Sequence, residues 1–150
     1  MRDFYSDTVM RLVRDGVLST ESTILVTCGG EVDRDTFVRG GFKKVTISNV
    51  DSRAHPPDFA PFEWKFEDAE RLSAADESFD FVVAHSGLHH CRSPHRALLE
   101  MYRVARRGVI VFEPRAGLIT RLGQRLGFAQ QYELAAVAAN DMRYGGVENT

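Results

Sequence analysis

The sequence predicts one α/β domain in which a doubly wound, mainly parallel sheet lies between two layers of helices, as a three-layer sandwich. Three features predict this class of fold. Largely apolar runs without alternation occupy residues 23–27, 81–84 and 109–112, which is typical of strands covered on both faces. Helical or loop crossovers separate these runs, and polar residues follow each of them. Since ligands bind beyond the carboxyl ends of such strands, those polar residues form the candidate site.

The first third of the chain predicts a helix followed by a β-α-β unit. The leading helix is amphipathic, with Ser6 or Asp7 as its expected cap. A strand at residues 23–27, a glycine turn, a helix at 33–39 and a strand at 44–48 follow. The length of this segment, about 30 residues, is usual for a β-α-β unit.

The middle of the chain predicts three more strands and a helix. Three prolines between residues 52 and 61 predict an irregular surface loop, and the alternation at residues 62–67 predicts a strand near a sheet edge. A central strand begins near Phe79, Ser93 caps the next helix, and the last strand begins near Gly108. With right-handed crossovers, the five strands are predicted to be parallel in the order 3-2-1-4-5.

Composition and charge limit the class of partner. Lys and Arg number 19 against 21 for Asp and Glu, and no basic stripe is present, so a small-molecule partner is favoured over nucleic acid. No apolar run reaches the roughly 18 residues that suggest a membrane span. Cys28 and Cys91 lie inside motifs rather than in a disulfide framework, and the start lacks an apolar signal segment. A cytoplasmic location is expected.

Four segments resemble, in order and spacing, those of the class I S-adenosylmethionine-dependent methyltransferases of the small-molecule type, also called methyltransferase type 11. The segments are FEDAERL at residues 66–72, SFDFVV at 78–83, LHH at 88–90 and ALLEMYRV at 97–104. The resemblance covers residues 20–115. It implies a Rossmann-like fold, S-adenosylmethionine as cofactor, and methyl transfer to an oxygen or nitrogen of a small-molecule acceptor.

The resemblance also implies roles for residues that follow the first two strands. In the turn Cys28-Gly29-Gly30, the two glycines would let the backbone pass under the methionine and ribose of the cofactor. After the second strand, Asn49 or Asp51 would accept hydrogen bonds from the ribose hydroxyls, since both side chains contain acceptor oxygens.

Residues after the third and fourth strands complete the implied cofactor site. Asp68, together with the backbone amide of Ala69, would bind the edge of the adenine. His85 would contact the cofactor from the end of the central strand. The predicted cofactor site therefore extends across four strand ends.

The glycine turn departs from the family pattern. Val26 stands where an acidic residue is usual, and two of the three expected glycines are replaced. Because a Cβ-bearing residue in a left-handed conformation costs about 1–2 kcal/mol, the turn is expected to follow a changed path.

Histidines and a cysteine cluster near the end of the central strand. His85, His89, His90, Cys91 and His95 include potential zinc ligands, but the adjacent His89 and His90 do not easily converge on one ion, so no metal is predicted. The resemblance implies that one ring of this pair bonds within the fold and that the other faces the acceptor. His89 is the predicted acceptor-facing base, because histidine titrates near neutrality; a satisfied structural histidine is the alternative.

Two other functions are compatible with the sequence. A non-catalytic or fragmentary methyltransferase-like domain would keep the fold without turnover. An NAD(P)-dependent oxidoreductase would share the sheet, but Glu31 and Asp33 would repel the pyrophosphate of its cofactor.

The domain is expected to span residues 1–150, with a core at 17–115 and a helical cover or lid at 116–140. Its C-terminal end is expected to be incomplete, since the resemblance implies a further helix and an antiparallel strand pair.

Overall fold

A computed structural model describes residues 4–113 of the chain. The helices in this range are α1 (Phe4–Arg14), α2 (Glu31–Arg39) and α3 (Pro94–Val104). The strands are β1 (Thr23–Thr27), β2 (Lys44–Asn49), β3 (Glu63–Phe66), β4 (Phe79–His85) and β5 (Ala105–Phe112). Two short 3-10 helices, Pro56–Phe59 and Leu88–His90, lie in the connections.

The five strands form one parallel sheet in the order β3-β2-β1-β4-β5, which confirms the predicted order. The register aligns their carboxyl ends. Thr27 at the end of β1 lies beside Ser48 of β2 and Ala84 of β4. Asn49 at the end of β2 lies beside Phe66 of β3. The segments that follow these strands therefore meet at one edge of the sheet.

The apolar core lies on both faces of the sheet, because successive residues of a strand point to opposite sides. On one face, Ile24 and Val26 of β1 pack with α1 and with Phe37 of α2. On the other face, Leu25 packs with α3, including Met101. All these side chains are buried, and each such burial stabilises the fold by about 1.5–3 kcal/mol. The predicted doubly wound, three-layer α/β fold is confirmed.

Three local predictions are wrong. Helix α1 begins before Ser6, which is buried within it, so neither Ser6 nor Asp7 is the cap. The proline-rich segment contains the 3-10 helix Pro56–Phe59, because proline is tolerated in the first turn of a helix, where its missing N–H is not needed. Strand β5 begins at Ala105, directly after α3, rather than near Gly108.

Some predictions fall on other parts of the chain. The helical cover at residues 116–140 and the incomplete C-terminal end lie outside the described residues. Helix α1, which precedes the predicted core at residues 17–115, contributes Tyr5 and Val9 to the buried cluster on its face of the sheet. Within residues 4–113, no helix combines the length and apolar character needed to cross a membrane.

Candidate functional site

The carboxyl ends of β4, β1, β2 and β3 lie side by side and bring the predicted cofactor residues to one edge. Neighbouring strands in a sheet are about 4.8 Å apart, so these four ends extend over roughly 15 Å. Asn49 and His85 end β2 and β4 at this edge, and Cys28 and Glu67 directly follow β1 and β3. This row of strand ends is long enough for an elongated ligand to lie across it.

The turn after β1 is strained and fastened to β2. Cys28 has a φ of 55°, in the left-handed region, so this turn holds a side chain in the conformation that it was expected to avoid. The Gly29 N–H donates to the Ser48 carbonyl at 2.9 Å, and Asn49 Nδ2 donates to the Gly29 carbonyl at 2.9 Å. These bonds hold the turn. Strain of this kind is concentrated at functional sites.

The two glycines of the turn have different surroundings. A Cβ on Gly29 would lie 2.7 Å from Ile47 Cγ2 and 2.9 Å from Val26 Cγ1, so core packing explains this glycine. A Cβ on Gly30 would meet no atom within 4 Å. Gly30 therefore leaves open space at the strand edge, and this is where the chain fits the close approach of a cofactor.

The acceptor groups after β2 are already engaged with neighbours. Asn49 Oδ1 accepts from the Val50 N–H at 2.7 Å. Asp51 accepts from Arg53 Nε at 3.0 Å and Nη2 at 2.9 Å, and the hydrogen bond from this guanidinium lowers the pKa of Asp51. Each carboxylate or amide oxygen has more than one lone pair, so both residues keep acceptor capacity for ribose hydroxyls.

The segment after β3 is folded back towards α3. Asp68 Oδ1 accepts from the Glu70 N–H at 2.9 Å, and Glu70 Oε1 accepts from the Ser93 N–H at 3.1 Å. Ala69 is buried in the cluster beneath α3. Asp68 and Ala69 thus lie just beyond the carboxyl end of β3, and the Asp68 carboxylate is held by its own turn.

His85 at the end of β4 lies between a tyrosine and a buried carboxylate. Its ring stacks on Tyr5 of α1, with centroids 4.0 Å apart and planes at 11°. Its Nδ1 lies 3.8 Å from Asp33 Oδ1, and Asp33 Oδ2 accepts from the Gly30 N–H at 2.8 Å. Burial raises the pKa of Asp33, opposed by hydrogen bonds from Gly30 and Tyr5 and by His85.

Tyr5 and Asp33 are two residues near His85 for which no site role was predicted from the sequence. Asp33 had a detectable signal, since an acidic residue three positions after a helix cap is typical of a helix start. Tyr5 had none, because only the packing of α1 on the sheet brings its ring to His85.

His89 is tied to the end of β5. Its Nδ1 lies 2.5 Å from Glu113 Oε2, and only 8% of the residue is exposed. Glu113 Oε1 accepts from the N–H groups of Gly87 and Leu88, at 3.1 and 2.8 Å. Partial burial would raise the pKa of Glu113, but the hydrogen bonds from His89 and the two amides lower it overall. This geometry supports the structural alternative for His89, and its role as a base stays a prediction.

A cavity of about 360 Å³ lies between α1 and the ends of β4 and β5. It is lined by aromatic, apolar and polar groups: Phe4, Tyr5, His85, Ser86, Val111, Phe112 and Glu113. Ser86 has a φ of 53°, so β4, like β1, ends in a left-handed residue with a side chain. The volume falls in the range of small-molecule sites, roughly 300–1,000 Å³.

The predicted histidine and cysteine cluster is dispersed. Among the described residues, no three His, Cys, Asp or Glu side chains converge as metal ligands. His95 is exposed on α3. Cys28 and Cys91 are not joined by a disulfide and lie on either side of Gly87, where a Cβ would lie 2.3 Å from Cys28 Cβ. The pKa of the Cys91 thiol is raised, mainly by a hydrogen bond with Cys28 and secondly by burial.

Comparisons with known proteins agree with this architecture. Residues 41–112 match a family model described as a methyltransferase domain. No curated protein matches the chain. The predicted resemblance to the class I S-adenosylmethionine-dependent methyltransferase family is confirmed by the family match together with the fold. S-adenosylmethionine is the cofactor that this family implies.

Solved structures share the fold at low sequence identity. One is a SAM-dependent methyltransferase from Thermotoga maritima, described as a possible histamine N-methyltransferase, with a TM-score of 0.58 and 20% identity over 93% of this chain and 70% of that one. Another is the YcgJ protein of Bacillus subtilis, with a TM-score of 0.60 and 14% identity over 95% of this chain and 68% of that one. A third is the [4+2]-cyclase SpnF, with a TM-score of 0.59 and 25% identity over 74% of this chain and 47% of that one. The chain therefore spans between about half and about two thirds of these structures.

Proposed function

We propose that this chain binds S-adenosylmethionine across the carboxyl ends of β4, β1, β2 and β3 and transfers a methyl group to an oxygen or nitrogen of a small-molecule acceptor. The observation that carries this proposal is the alignment of four strand ends with open space over Gly30 at their centre. The family match supports it.

The proposed cofactor contacts follow the row of strand ends. Gly30, beside Cys28 and Gly29, would admit the methionine and ribose portion, and Asn49 or Asp51 would accept from the ribose hydroxyls. At the far end, Asp68 and the Ala69 amide would bind the adenine edge. His85 would close the site on the β4 side. The donors and acceptors present are neutral or anionic, which suits a cofactor without phosphate groups.

The bound cofactor would supply a methyl group that is already activated by a sulfonium charge. This chain would then have to align the acceptor with the methyl group. In well-oriented reactions, alignment lowers the activation free energy by up to roughly 7–11 kcal/mol. The predicted lid at residues 116–140 is the proposed cover that excludes water. His89 is the base proposed from the sequence. Because it pairs with Glu113, the competing proposal is that His89 has a structural role and holds the ends of β4 and β5 together.

The location and partners complete the proposal. A cytoplasmic location is proposed because Cys28 and Cys91 lie inside motifs rather than in a disulfide framework. The near-neutral balance of charge supports a small molecule rather than nucleic acid. We include both in the proposed function.

A cofactor-binding domain without methyl transfer is the second candidate, and one observation favours it. The fold neighbour SpnF is named as a [4+2]-cyclase, so this architecture is found in proteins named for other chemistry. An NAD(P)-dependent oxidoreductase is disfavoured, because Asp33 Oδ2 occupies the Gly30 N–H that a pyrophosphate would need at the start of α2.

Calorimetry and turnover on the full-length protein test these functions. Titration with S-adenosylmethionine is expected to show binding, and titration with NAD is expected to show none. A panel of hydroxylated and amine acceptors is then assayed for methylated product. Binding of NAD alone would overturn the proposal in favour of the oxidoreductase, and cofactor binding without any methylated product would favour the non-catalytic domain.

A further inference from the structure

Two cysteines meet where the turn after β1 contacts the segment after β4. Cys28 directly follows β1, and Cys91 directly follows the 3-10 helix Leu88–His90. The Cys91 thiol forms a hydrogen bond with Cys28. Both side chains also pack in the apolar cluster under α3. Since β1 and β4 are neighbours in the sheet, the pair connects two adjacent strand ends.

Gly87 makes this approach possible. A Cβ on Gly87 would lie 2.3 Å from Cys28 Cβ and 3.3 Å from Cys28 Sγ, so a larger residue would push the two segments apart. On the other side, Cys91 Sγ lies 3.9 Å from the Gly87 carbonyl oxygen. The φ of Gly87 is -132°, which residues with a side chain also adopt. The close approach of the two cysteine segments therefore explains this glycine.

The two thiols differ in access to solvent. Cys91 is 6% exposed, whereas Cys28 is partly exposed and lies two residues before Gly30, which borders open space. The pKa of Cys91 is raised by the hydrogen bond with Cys28, by burial and by the charge of a Cys28 thiolate, in that order. A small oxidant therefore reaches Cys28 first, while Cys91 keeps its proton.

We propose that Cys28 and Cys91 are a site of oxidative modification: a hydroperoxide oxidises Cys28, and the two residues then form a reversible disulfide that displaces the turn after β1. The expected effect on the cofactor rests on the proposed function, whereas the disulfide itself does not. Reversible disulfides of this kind are the usual ones in a reducing compartment.

The reaction has two steps. The Cys28 thiolate attacks the peroxide, the O–O bond breaks, and one oxygen stays on sulfur as a sulfenic acid; the leaving oxygen takes up the proton that Cys28 released. The Cys91 sulfur then attacks the Cys28 sulfur, the S–O bond breaks, and the leaving hydroxide takes up the Cys91 proton to form water. Each sulfur gives up one electron, and the peroxide accepts both.

The first step prepares Cys91 for the second. The charge of a Cys28 thiolate opposes the ionisation of Cys91. A sulfenic acid on Cys28 is neutral, so that charge is removed when the first step is complete. Cys91 then becomes the better nucleophile, next to the sulfur that it attacks.

The turn after β1 is the part that would move. Cys91 is held in the buried cluster under α3, whereas Cys28 lies in a turn with a left-handed φ of 55°. A covalent bond between two sulfurs is shorter than a hydrogen bond between two thiols, so Cys28 shifts towards Cys91. That shift strains the hydrogen bond from the Gly29 N–H to the Ser48 carbonyl. Gly30 moves with the turn, and the space above it changes.

Peptide mapping of the full-length protein tests the disulfide. Reduced protein is treated with hydrogen peroxide and then with dimedone, which traps sulfenic acid; the remaining thiols are alkylated in denaturant. Mass spectrometry of the digest is expected to find a peptide that joins Cys28 to Cys91, and dithiothreitol should separate it. In Cys91→Ala, Cys28 is expected to form the dimedone adduct instead. Alkylation of both cysteines in the wild type, or a dimedone adduct without the joined peptide, would overturn the proposal.

Gly87→Ala tests whether the close approach is needed. This variant keeps both sulfurs but places a methyl group against Cys28, so the joined peptide should be lost at a peroxide exposure that produces it in the wild type. The matched control is Gly108→Ala, whose Cβ would make an ordinary contact 3.5 Å from Phe81 and which should form the joined peptide as the wild type does. Equal yields in Gly87→Ala and wild type would overturn the part assigned to Gly87.

Calorimetry with S-adenosylmethionine tests the effect on the proposed cofactor site. Oxidation is expected to raise the dissociation constant of the wild type by at least about 5-fold, the lower end of the usual coupling between two sites, and dithiothreitol should restore it. Reduced Cys91→Ala is expected to bind as the reduced wild type does. Equal affinities of the oxidised and reduced wild type would overturn the displacement of the turn. Absence of binding by the reduced protein would instead overturn the proposed function, while the peptide map still decides whether the disulfide forms.

Discussion

His89 Nδ1 lies 2.5 Å from Glu113 Oε2, and this contact joins the carboxyl ends of β4 and β5. The other Glu113 oxygen accepts from the Gly87 and Leu88 amides, at the start of the 3-10 helix that follows β4. One carboxylate therefore holds a turn, a histidine ring and a strand end together. Hydrogen bonds to a charged group are stronger than neutral ones, so this cluster stabilises one wall of the cavity between α1 and the ends of β4 and β5.

The first prediction concerns pH and Glu113. Its pKa in the folded chain is lowered from the ordinary 4.5, so its charged form stabilises the folded state. That contribution is complete above 4.5 and is lost as the pH falls through the folded-state pKa. Glu113→Gln should therefore reduce the free energy of unfolding by about 1–3 kcal/mol at neutral pH. Chemical denaturation from neutral to acid pH measures the difference between the two proteins, which should shrink below 4.5.

Two comparisons make this prediction specific. Glu77→Gln, at an exposed position, is expected to change stability by less than about 0.5 kcal/mol. A double-mutant cycle with His89→Ala should show a coupling free energy of about 0.5–3 kcal/mol. If the difference in free energy of unfolding between the wild type and Glu113→Gln stayed constant across the pH range, the stabilising role of the charged Glu113 would be contradicted.

The second prediction separates the two glycines of the strained turn. Gly29→Ala should destabilise the fold by about 1–3 kcal/mol, because its Cβ would overlap Ile47 and Val26 in the core. Gly30→Ala should leave stability nearly unchanged, because its Cβ enters open space and its backbone, with φ of -140°, is extended. Thermal denaturation of both variants measures this contrast. If the proposed cofactor lies over the turn, Gly30→Ala should nevertheless weaken its binding, and equal binding to wild type and Gly30→Ala would count against that placement.

The third prediction concerns the adenine end of the proposed cofactor site. Asp68→Asn should weaken binding of S-adenosylmethionine by about 1–3 kcal/mol, because an amide replaces a charged acceptor at the exocyclic amine. Calorimetry on the full-length protein gives the two dissociation constants. Asp58→Asn, which changes an exposed aspartate away from the strand ends, serves as the control. Identical affinities for wild type and Asp68→Asn would remove this residue from the site.

The fourth prediction concerns the start of α3. Ser93 Oγ accepts from the Arg96 N–H at 3.4 Å, as a helix cap does. Ser93→Ala should lower the free energy of unfolding by about 1 kcal/mol, since a backbone N–H loses its partner. Urea denaturation provides the measurement. Ser73→Ala, an exposed serine in a loop, should have little effect, and equal stability of Ser93→Ala and wild type would show that the cap contributes nothing.

Most of the fold could be predicted from local sequence. Apolar runs without alternation indicated buried parallel strands, and the Ser93-Pro94 pair indicated the start of α3. These signals are local because burial on both faces and helix capping depend on residues that are close in sequence. The bounds of the elements were less predictable. Helix α3 passes directly into β5, and the start of β5 at Ala105 depends on the pairing of that residue with Phe79 of β4.

The sequence by itself determined the parallel α/β sheet, its strand order, the family resemblance and the polar residues at the strand ends, because each depends on a periodicity or a motif within one segment. Only the tertiary structure decided which of those residues meet. It placed Tyr5 and Asp33 against His85 and bound His89 to Glu113, from elements separated by 24 residues or more. Such pairs depend on how helices pack on the sheet and how strands align, and packing depends on the shape of the whole core rather than on any segment. For that reason the neighbours of His85 and His89 could be identified only in the folded chain.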